Sequence, residues 1–323
     1  MKNFASSPRN WAWMIVMAFL ASLPLFLSFY ILHILVMVGI WAMLIMGLNL
    51  VGSMGYVSIC HGAFYGLGAY TASLLTLQAG TPFFFNLLAG ASLAGLAGFC
   101  IGYPAFRVRG HYFAIATLAF GLILSLVFHN WSEVTRGDRG LADIMGPIVD
   151  PVHYYYFVLL VTLGVVALTH AMLYSRFGRK LRAIRCDENL AEQVGVKTFQ
   201  TKMVAFIVGA TIAGLAGGIM AHYTNYIHPD LFSFVHSFSM IMGMIVGGIG
   251  TTLGALLGGG VAVRAGWSGM EGLWRDGSER LSAGCGYSFA GGRASLDFAA
   301  VRETWDGGAE NGFFISLWAS ESW

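Results

Sequence analysis

Long apolar stretches with few charges dominate the chain. No Asp, Glu, Lys or Arg occurs between Arg9 and Arg107. As one continuous helix, the roughly 100 residues between them would extend about 145 Å at 1.5 Å per residue. The hydrocarbon core of a bilayer is about 30 Å thick, so this stretch must fold back on itself several times. Turn signals divide it at residues 24–30, 51–55 and 79–82.

The pattern predicts an all-α fold, a polytopic transmembrane helical bundle with about eight spans and a range of seven to ten. The predicted bounds are about 11–29, 31–50, 56–78, 83–104, 111–129, 153–174, 203–223 and 231–263. The first run follows Lys2 and Arg9, as a signal peptide would. Because a second apolar run follows at once and no clear small-residue cleavage site precedes it, we interpret it as a retained first span. The last stretch is rich in glycine, and one tilted helix or two short broken helices both fit it.

Composition supports the same class of protein. The 323 residues are 57% hydrophobic and 11% charged, with a mean hydropathy of +0.68. A soluble globular domain carries about 25% charged residues, so this chain lacks the polar side chains to cover a soluble core. This excludes an ordinary cytosolic enzyme. The net charge of +2 gives no basic excess suited to nucleic acid, and the four cysteines have neither metal-binding nor disulfide-framework spacing.

Charge density divides the chain into two regions. Residues 1–263 hold 21 charged residues, whereas residues 264–323 hold 13 in less than a quarter of that length. The second region also contains five of the nine tryptophans and 11 of the 43 glycines, and it has no apolar run long enough to cross a membrane. We predict a transmembrane domain over residues 1–263, followed by an atypical polar tail rich in Gly and Trp over residues 264–323.

The distribution of Lys and Arg predicts the orientation of the bundle. Cytoplasmic loops of membrane proteins carry an excess of these residues. With the N-terminus in the cytoplasm, the eight predicted spans place Arg136 and Arg139 outside and eleven basic residues inside. The eleven are Lys2, Arg9, Arg107, Arg109, Arg176, Arg179, Lys180, Arg182, Arg185, Lys197 and Lys202.

The loop at residues 175–202 is the most informative polar segment. Its basic part, 176–185, either satisfies the charge bias alone or has a further role. Asp187 suits a helix N-cap, Glu188 lies in the first turn, where the helix dipole favours an acid, and Gly195 can end the helix in a left-handed conformation. A small apolar face is predicted from Leu190, Ala191 and Val194. Because a short isolated helix is marginal in water, we expect this one to dock on a partner.

No motif for catalysis is present. The sequence lacks Gly-x-x-x-x-Gly-Lys-Ser/Thr, His-Glu-x-x-His and Gly-x-Ser-x-Gly, so we expect no ATP hydrolysis, metal or cofactor in this chain. The predicted spans carry no Asp, Glu, Lys or Arg, which argues against proton or sodium coupling but leaves a passive channel open. Candidates for a translocation path are Asn49, Ser58, His61 and Thr117. His61, one turn from Ser58, either hydrogen-bonds a neighbouring helix or lines this path.

Four segments, in order along roughly residues 40–260, carry a family resemblance. They are GLNL at 47–50 with GYVSICHGAFYGLGAYT at 55–71, RGHYFAIATLAF at 109–120, the loop at 175–202, and VGGIGTTLGALLGG at 246–259. Together they resemble the permease subunits of bacterial ABC importers for branched-chain amino acids. The Arg-x-x-Tyr-Phe-Ala-Ile-x-Thr-Leu run and the extra N-terminal span resemble the larger of the two permease types in such importers.

The resemblance implies a subunit that moves branched-chain amino acids into the cytoplasm across the bacterial inner membrane by alternating access. It implies a second permease subunit, two ATP-binding cassette subunits that hydrolyse the ATP, and an external solute-binding protein. It also implies that the loop at 175–202 is a coupling segment that contacts the ATPase, through Asp187, Glu188, Ala191, Glu192 and Gly195. Urea or short amides are alternative substrates, and an ATP-independent channel or secondary transporter is the alternative class.

The chain departs from the family pattern after about residue 266, where further apolar sequence is expected. We hypothesise that the tail is read in a shifted frame, is otherwise foreign, or is disordered. Intact-mass measurement on the native protein tests the first two possibilities, because a native chain carrying residues 264–323 unaltered would contradict them. Cys60, Leu122 and Asn189 also differ from the residues usual in the family, so the resemblance does not specify which substrate is carried.

Overall fold

A computed structural model describes the membrane-spanning part of the chain. The described residues are residue 24, residues 28–268 apart from 109, 145, 147 and 149, and residues 287–290 and 293–296. The first predicted span, at 11–29, therefore lies almost wholly outside the described residues, as does most of the tail. The contacts divide the chain into two units, Met1–Val263 and Arg264–Trp323.

The first unit is a bundle of α-helices, which confirms the predicted fold class. Five of the described helices are long and apolar enough to cross a membrane, while the full count of eight spans stays a prediction. The helices are α1 Phe29–Gly52, α2 His61–Leu74, α3 Phe83–Ala105, α4 His111–Asn130, α5 Ser132–Thr135, α6 Pro151–Tyr174, α7 Arg176–Cys186, α8 Glu188–Gln193, α9 Thr198–Thr224, α10 Phe234–Gly247 and α11 Thr252–Ser268.

Two predicted spans need correction at their starts. The span predicted at 56–78 begins as helix only at His61, and it ends in a π-helical turn, Leu75–Ala79, before Gly80 with a φ of +58°. Residues 53–60 are non-helical because Gly55, at a φ of +83°, turns the chain away from the axis of α1. The span predicted at 203–223 begins five residues earlier, as α9, so it includes a lysine.

Helix α9 lies at the centre of the bundle and packs against α1, α2 and α3. Small residues make this packing close. A Cβ atom on Gly217 would overlap the backbone of Tyr65 in α2, and one on Gly68 would overlap the backbone of Gly214. Such contacts between helix backbones stabilise membrane bundles through van der Waals packing. They place α9 where it can connect the polar segment before it with the core.

The glycine-rich stretch at 231–263 is broken rather than continuous, which decides between the two alternatives. Helix α10 ends at Gly247, and α11 begins at Thr252. Gly248 and Gly250 between them have φ values of +100° and +85°, which L-residues with a Cβ rarely adopt. The two helices then run close together, because a Cβ on Gly254 would overlap the backbone of Gly247.

Short elements complete the described part. Strands β1 (Leu141–Ala142) and β2 (Tyr226–Ile227) pair antiparallel, linking the segment after α5 to the end of α9. Two 3-10 turns, Gly137–Arg139 and Pro229–Phe232, flank them. In the second unit, β3 (Tyr287–Ala290) and β4 (Arg293–Leu296) form an antiparallel hairpin.

Candidate functional site

The segment between α6 and α9 consists of two short helices joined by a single residue. Ser175 caps α7 by accepting the N–H of Phe177 at 3.0 Å. Asp187 caps α8 by accepting the N–H groups of Asn189 and Leu190 at 2.8 and 3.0 Å, which confirms the predicted N-cap. The basic stretch therefore forms a helix of its own, and the predicted short helix follows it.

Gly195 ends α8 as predicted. Its φ of +84° is left-handed, its N–H donates to Glu192 O at 2.9 Å, and the N–H of Val196 donates to Ala191 O at 3.0 Å. These bonds satisfy carbonyls at the end of the helix, so the chain turns sharply toward α9. The Glu192 side chain accepts the hydroxyl of Thr198, the first residue of α9, at 2.5 Å.

The single apolar face predicted on α8 is wrong. Ala191 is only 3% exposed and faces the protein, whereas the exposed fractions of Leu190 and Val194 are 59% and 78%. The reason is helix geometry, because residues four apart share a face while the next residue along is rotated by about 100°. Helix α8 therefore packs through Ala191, while Leu190 and Val194, the residue that follows the helix, are exposed.

Glu188 also faces the protein. Its Oε1 lies 2.5 Å from the Lys202 Nζ, and its Oε2 accepts the Tyr56 hydroxyl at 2.6 Å. The Lys202 side chain is 2% exposed and that of Glu188 is 14% exposed. Lys202 thus belongs to α9 and to a buried ion pair, not to the exposed basic residues of the loop with which the sequence grouped it.

Three of the four path candidates meet at the non-helical segment, residues 53–60. Ser58 Oγ lies 3.0 Å from His61 Nδ1, and the N–H of Ile59 donates to Thr117 Oγ1 at 3.2 Å. Ser58, His61 and Thr117 are fully buried. Thr117 of α4 therefore satisfies a backbone N–H of this irregular segment, and His61 of α2 contacts the Ser58 side chain in it.

His61 has a second nitrogen aimed into the core. Its Nε2 has no hydrogen-bond partner among the described residues. The rings of Phe64 and Phe206 lie edge-on to the imidazole, with centroids 5.7 and 6.1 Å away. In this conformation His61 bonds its neighbour Ser58 and is closed off from solvent.

Asn49, the fourth path candidate, lies apart from the other three and contacts the break between α10 and α11. Its Oδ1 accepts the N–H of Gly250 at 2.6 Å, and its Nδ2 donates to Thr251 O at 2.9 Å. Both partners lie in the break between α10 and α11. Asn49 therefore holds the broken helix pair against α1.

A cavity of about 600 Å³ lies where α1, α6 and α9 meet the segment after β1. His33 Nδ1 and the Tyr223 hydroxyl are 2.7 Å apart, and Tyr154 donates to Ile219 O at 2.6 Å. The cavity lining is His33, Gly146, Ile148, Pro151, Tyr154, His222, Tyr223, Thr224 and Asn225. The described residues contain no group of three or more His, Cys, Asp or Glu that could hold a metal ion.

Sequence reasoning missed the two residues that contact Glu188, Tyr56 and Lys202. Tyr56 bonds Glu188, 132 residues later, and Lys202 bonds the same carboxylate from the other end of the loop. A local sequence pattern does not report either pairing. The available signal was the position of Lys202, a lone lysine followed directly by the apolar run of a predicted span.

Comparison with known proteins places these features in a family. The family model described as branched-chain amino acid transport system / permease component matches residues 30–265. LivM of Escherichia coli K12, a high-affinity branched-chain amino acid transport system permease protein, is 31% identical over 248 residues, covering 68% of this chain and 58% of LivM. LivH of Salmonella typhimurium is 24% identical over 242 residues, covering 68% of this chain and 78% of LivH.

An archaeal relative is also similar. A probable LivM of Methanocaldococcus jannaschii is 26% identical over 182 residues, which is 53% of each chain. The chain spans less than two thirds of the length of the LivM proteins from Escherichia coli and Salmonella typhimurium. No solved structure matches this chain.

Proposed function

Because the chain belongs to the family of branched-chain amino acid transport permease components, we propose that it is the membrane-spanning subunit of an ATP-driven importer for branched-chain amino acids. The match over residues 30–265 is the observation that carries this proposal. It covers nearly all of the described bundle, including the segment at 175–202 and the broken helix pair. The stronger similarity to LivM than to LivH favours the larger of the two permease types.

The energy for import comes from partner subunits in this proposal. The sequence has no phosphate-binding loop of the Gly-x-x-x-x-Gly-Lys-Ser/Thr type, and we expect no cofactor in this chain. Two ATP-binding cassette subunits would contact the segment at 176–195. The exposed Leu190 on α8 and Val194 directly after it suit insertion into an apolar groove of such a partner.

A second permease and an external solute-binding protein complete the proposed assembly. The chain is a multi-pass membrane protein, and we propose the inner membrane of a bacterium with the N-terminus in the cytoplasm. This orientation puts α7, with its five basic residues, on the side where positive charge accumulates. Lys202, one of the eleven basic residues assigned to the cytoplasmic side, is buried in the bundle. The other ten still outnumber the two assigned to the outside.

Import would proceed by alternating access. The path candidates Ser58, His61 and Thr117 are buried and bonded within the chain in the described conformation. A role in the path therefore requires a second conformation, in which the segment at 53–60 moves and exposes them. The His61 Nε2 is available to bind a solute group there. Asn49 would act by releasing or holding the break between α10 and α11.

Uptake by a reconstituted complex tests the function. The chain is co-expressed with the neighbouring transport genes and reconstituted in proteoliposomes, with labelled leucine or labelled urea outside and ATP inside or absent. We expect leucine uptake that requires ATP and the binding protein. Uptake of urea alone would change the substrate and keep the mechanism, and uptake without ATP would overturn the importer.

An alanine scan tests the path residues in the same assay. Asn49, Ser58, His61 and Thr117 are replaced one at a time, and the amount of assembled complex is measured beside uptake. We expect uptake to fall in complexes that assemble normally. Unchanged uptake at normal expression would remove that residue from the path.

A further inference from the structure

We propose that Glu188, Lys202 and Tyr56 form an internal tie through which a displacement of α8 moves the segment at 53–60. The inference rests on the proposed function, since it names the residues that would carry motion from the ATPase side into the bundle. The three residues are positioning residues, because they act on the path through other parts of the chain.

Three separate elements meet in this group. Glu188 begins α8, Lys202 lies one turn into α9, and Tyr56 lies in the non-helical segment before α2. Each carboxylate oxygen has its own partner, at 2.5 Å for Lys202 and 2.6 Å for Tyr56. The Tyr56 hydroxyl is also 3.4 Å from the Lys202 Nζ, which closes a triangle of polar contacts.

Aromatic rings lie against the lysine end of the ion pair. The Lys202 Nζ lies 5.1 Å from the Tyr56 ring centroid and 5.4 Å from that of Phe106. Phe113 stands edge-on to Tyr56, with the ring centroids 5.1 Å apart. Because charges interact more strongly where water is excluded, the pair resists separation far better than a surface ion pair. A displacement of α8 should therefore move Lys202 and Tyr56 with it, because the contacts of Glu188 with these residues are not easily broken.

The tie leads directly to the path candidates. Tyr56 stands two residues before Ser58, which contacts His61 at the start of α2. The next residue, Ile59, donates its N–H to Thr117 in α4. Movement of Tyr56 would thus reach the start of α2 and the second turn of α4 through short polar contacts.

The two sides of α8 have different roles in this proposal. Ala191 and Glu188 face the bundle, while Leu190 and Val194 point outward. The outward residues suit binding to a partner subunit, and Glu188 holds the helix to its own chain. Loss of the tie should therefore leave partner binding intact and lower the transport obtained from each ATP.

The experiment measures leucine transported per ATP hydrolysed in the complete complex with its binding protein. The variants are Lys202→Met, Glu188→Gln and Tyr56→Phe, and Lys197→Met is the matched control, an exposed lysine in the same loop. In Lys202→Met we expect about a tenfold lower ratio with partner co-purification unchanged, in the range of typical coupling free energies. Tyr56→Phe, which removes one hydrogen bond, should lower the ratio by about threefold.

The outcomes separate the tie from the function. A variant ratio equal to that of the wild type, in complexes of equal yield, would overturn the tie. If Lys202→Met does not assemble, Tyr56→Phe decides, because its packing is almost unchanged. Absence of ATP-dependent leucine uptake in the wild type would instead defeat the proposed substrate, and the same ratio would then be measured with the solute that is transported.

Discussion

Helices α9 and α4 have almost the same mean hydropathy but opposite surroundings. In the most apolar 18 residues of each, 67% are buried in α9 and 17% in α4. Helix α9 is enclosed by α1, α2 and α3, whereas α4 exposes large apolar side chains such as Tyr112, Ile115 and Leu126. Hydropathy thus identifies a membrane helix without saying which surface it faces.

Residue size marks the difference. Helix α9 carries small residues at its closest approaches to neighbouring helices, among them Gly209, Gly214 and Gly217. Helix α4 exposes mainly Leu, Ile, Val and Tyr side chains, and its buried positions form one stripe through Phe113, Thr117 and Phe128. Small residues let helix backbones approach, while bulky apolar side chains suit lipid or the face of another subunit.

The largest effect should come from the charged residue of α9. Replacing Lys202 by Met removes the cation that faces the Glu188 carboxylate, which is only 14% exposed, and breaking a buried pair from one side costs about 3–5 kcal/mol. Thermal unfolding of the purified chain in detergent would measure the loss. The double variant Lys202→Met with Glu188→Gln should recover most of it, since no buried charge remains. A single variant as stable as the wild type would contradict the burial of this pair.

Glycine substitutions compare the two helices directly. Gly217→Ala in α9 would drive a Cβ into the backbone of Tyr65, and overpacking of this kind costs about 1–3 kcal/mol or more. Gly121→Ala in α4 is the matched control, because its Cβ would meet its nearest neighbour, Cys60, at 3.5 Å, an ordinary contact. We expect loss of monodisperse protein on size exclusion for the first variant only. Equal behaviour of the two would break the contrast between enclosed and outward helices.

The buried stripe of α4 gives the next effect. Thr117→Val removes the acceptor for the Ile59 N–H, and a buried donor without an acceptor costs about 1–3 kcal/mol. Because Val has nearly the shape of Thr, the change isolates the hydrogen bond from packing. Thermal unfolding in detergent would measure it, with Thr224→Val at the C-terminal end of α9 as a control that spares the 53–60 segment. No loss at Thr117 would mean that this stripe holds α4 by packing alone.

The ends of several long helices could be predicted from the sequence, whereas contacts between distant residues could not. The helices at Phe29–Gly52, Phe83–Ala105 and Pro151–Tyr174 lie within two residues of the predicted spans, because turn residues and uncharged length set their ends. The cap at Asp187 was predictable because it is local. His61 was expected to hydrogen-bond a neighbouring helix or line the path, but its Nδ1 contacts Ser58, three residues earlier in the non-helical segment.

What failed depends on distant partners. Residues 56–60 were predicted to be helical because they are largely apolar, but the Ile59 N–H bonds Thr117 in α4 and the helix begins only at His61. The outward turn of Leu190 and the inward turn of Glu188 follow from Lys202, fourteen residues later, and from Tyr56, 132 residues earlier. A pattern along the chain reports local periodicity and cannot report which side a neighbouring helix will occupy.

The smallest effect should lie on the outward face of α4. Leu126 is exposed, so Leu126→Ala should change the stability of the isolated chain by no more than about 0.5 kcal/mol. Its matched control is Ile219→Ala in α9, which removes a fully buried side chain and should cost about 2–5 kcal/mol. Thermal unfolding of both variants is compared first for the purified chain and then for the complete complex. A loss at Leu126 that occurs only in the complex would identify this face as a contact with another subunit. Equal tolerance in both would assign the face to lipid, and a large loss in the isolated chain would contradict its exposure.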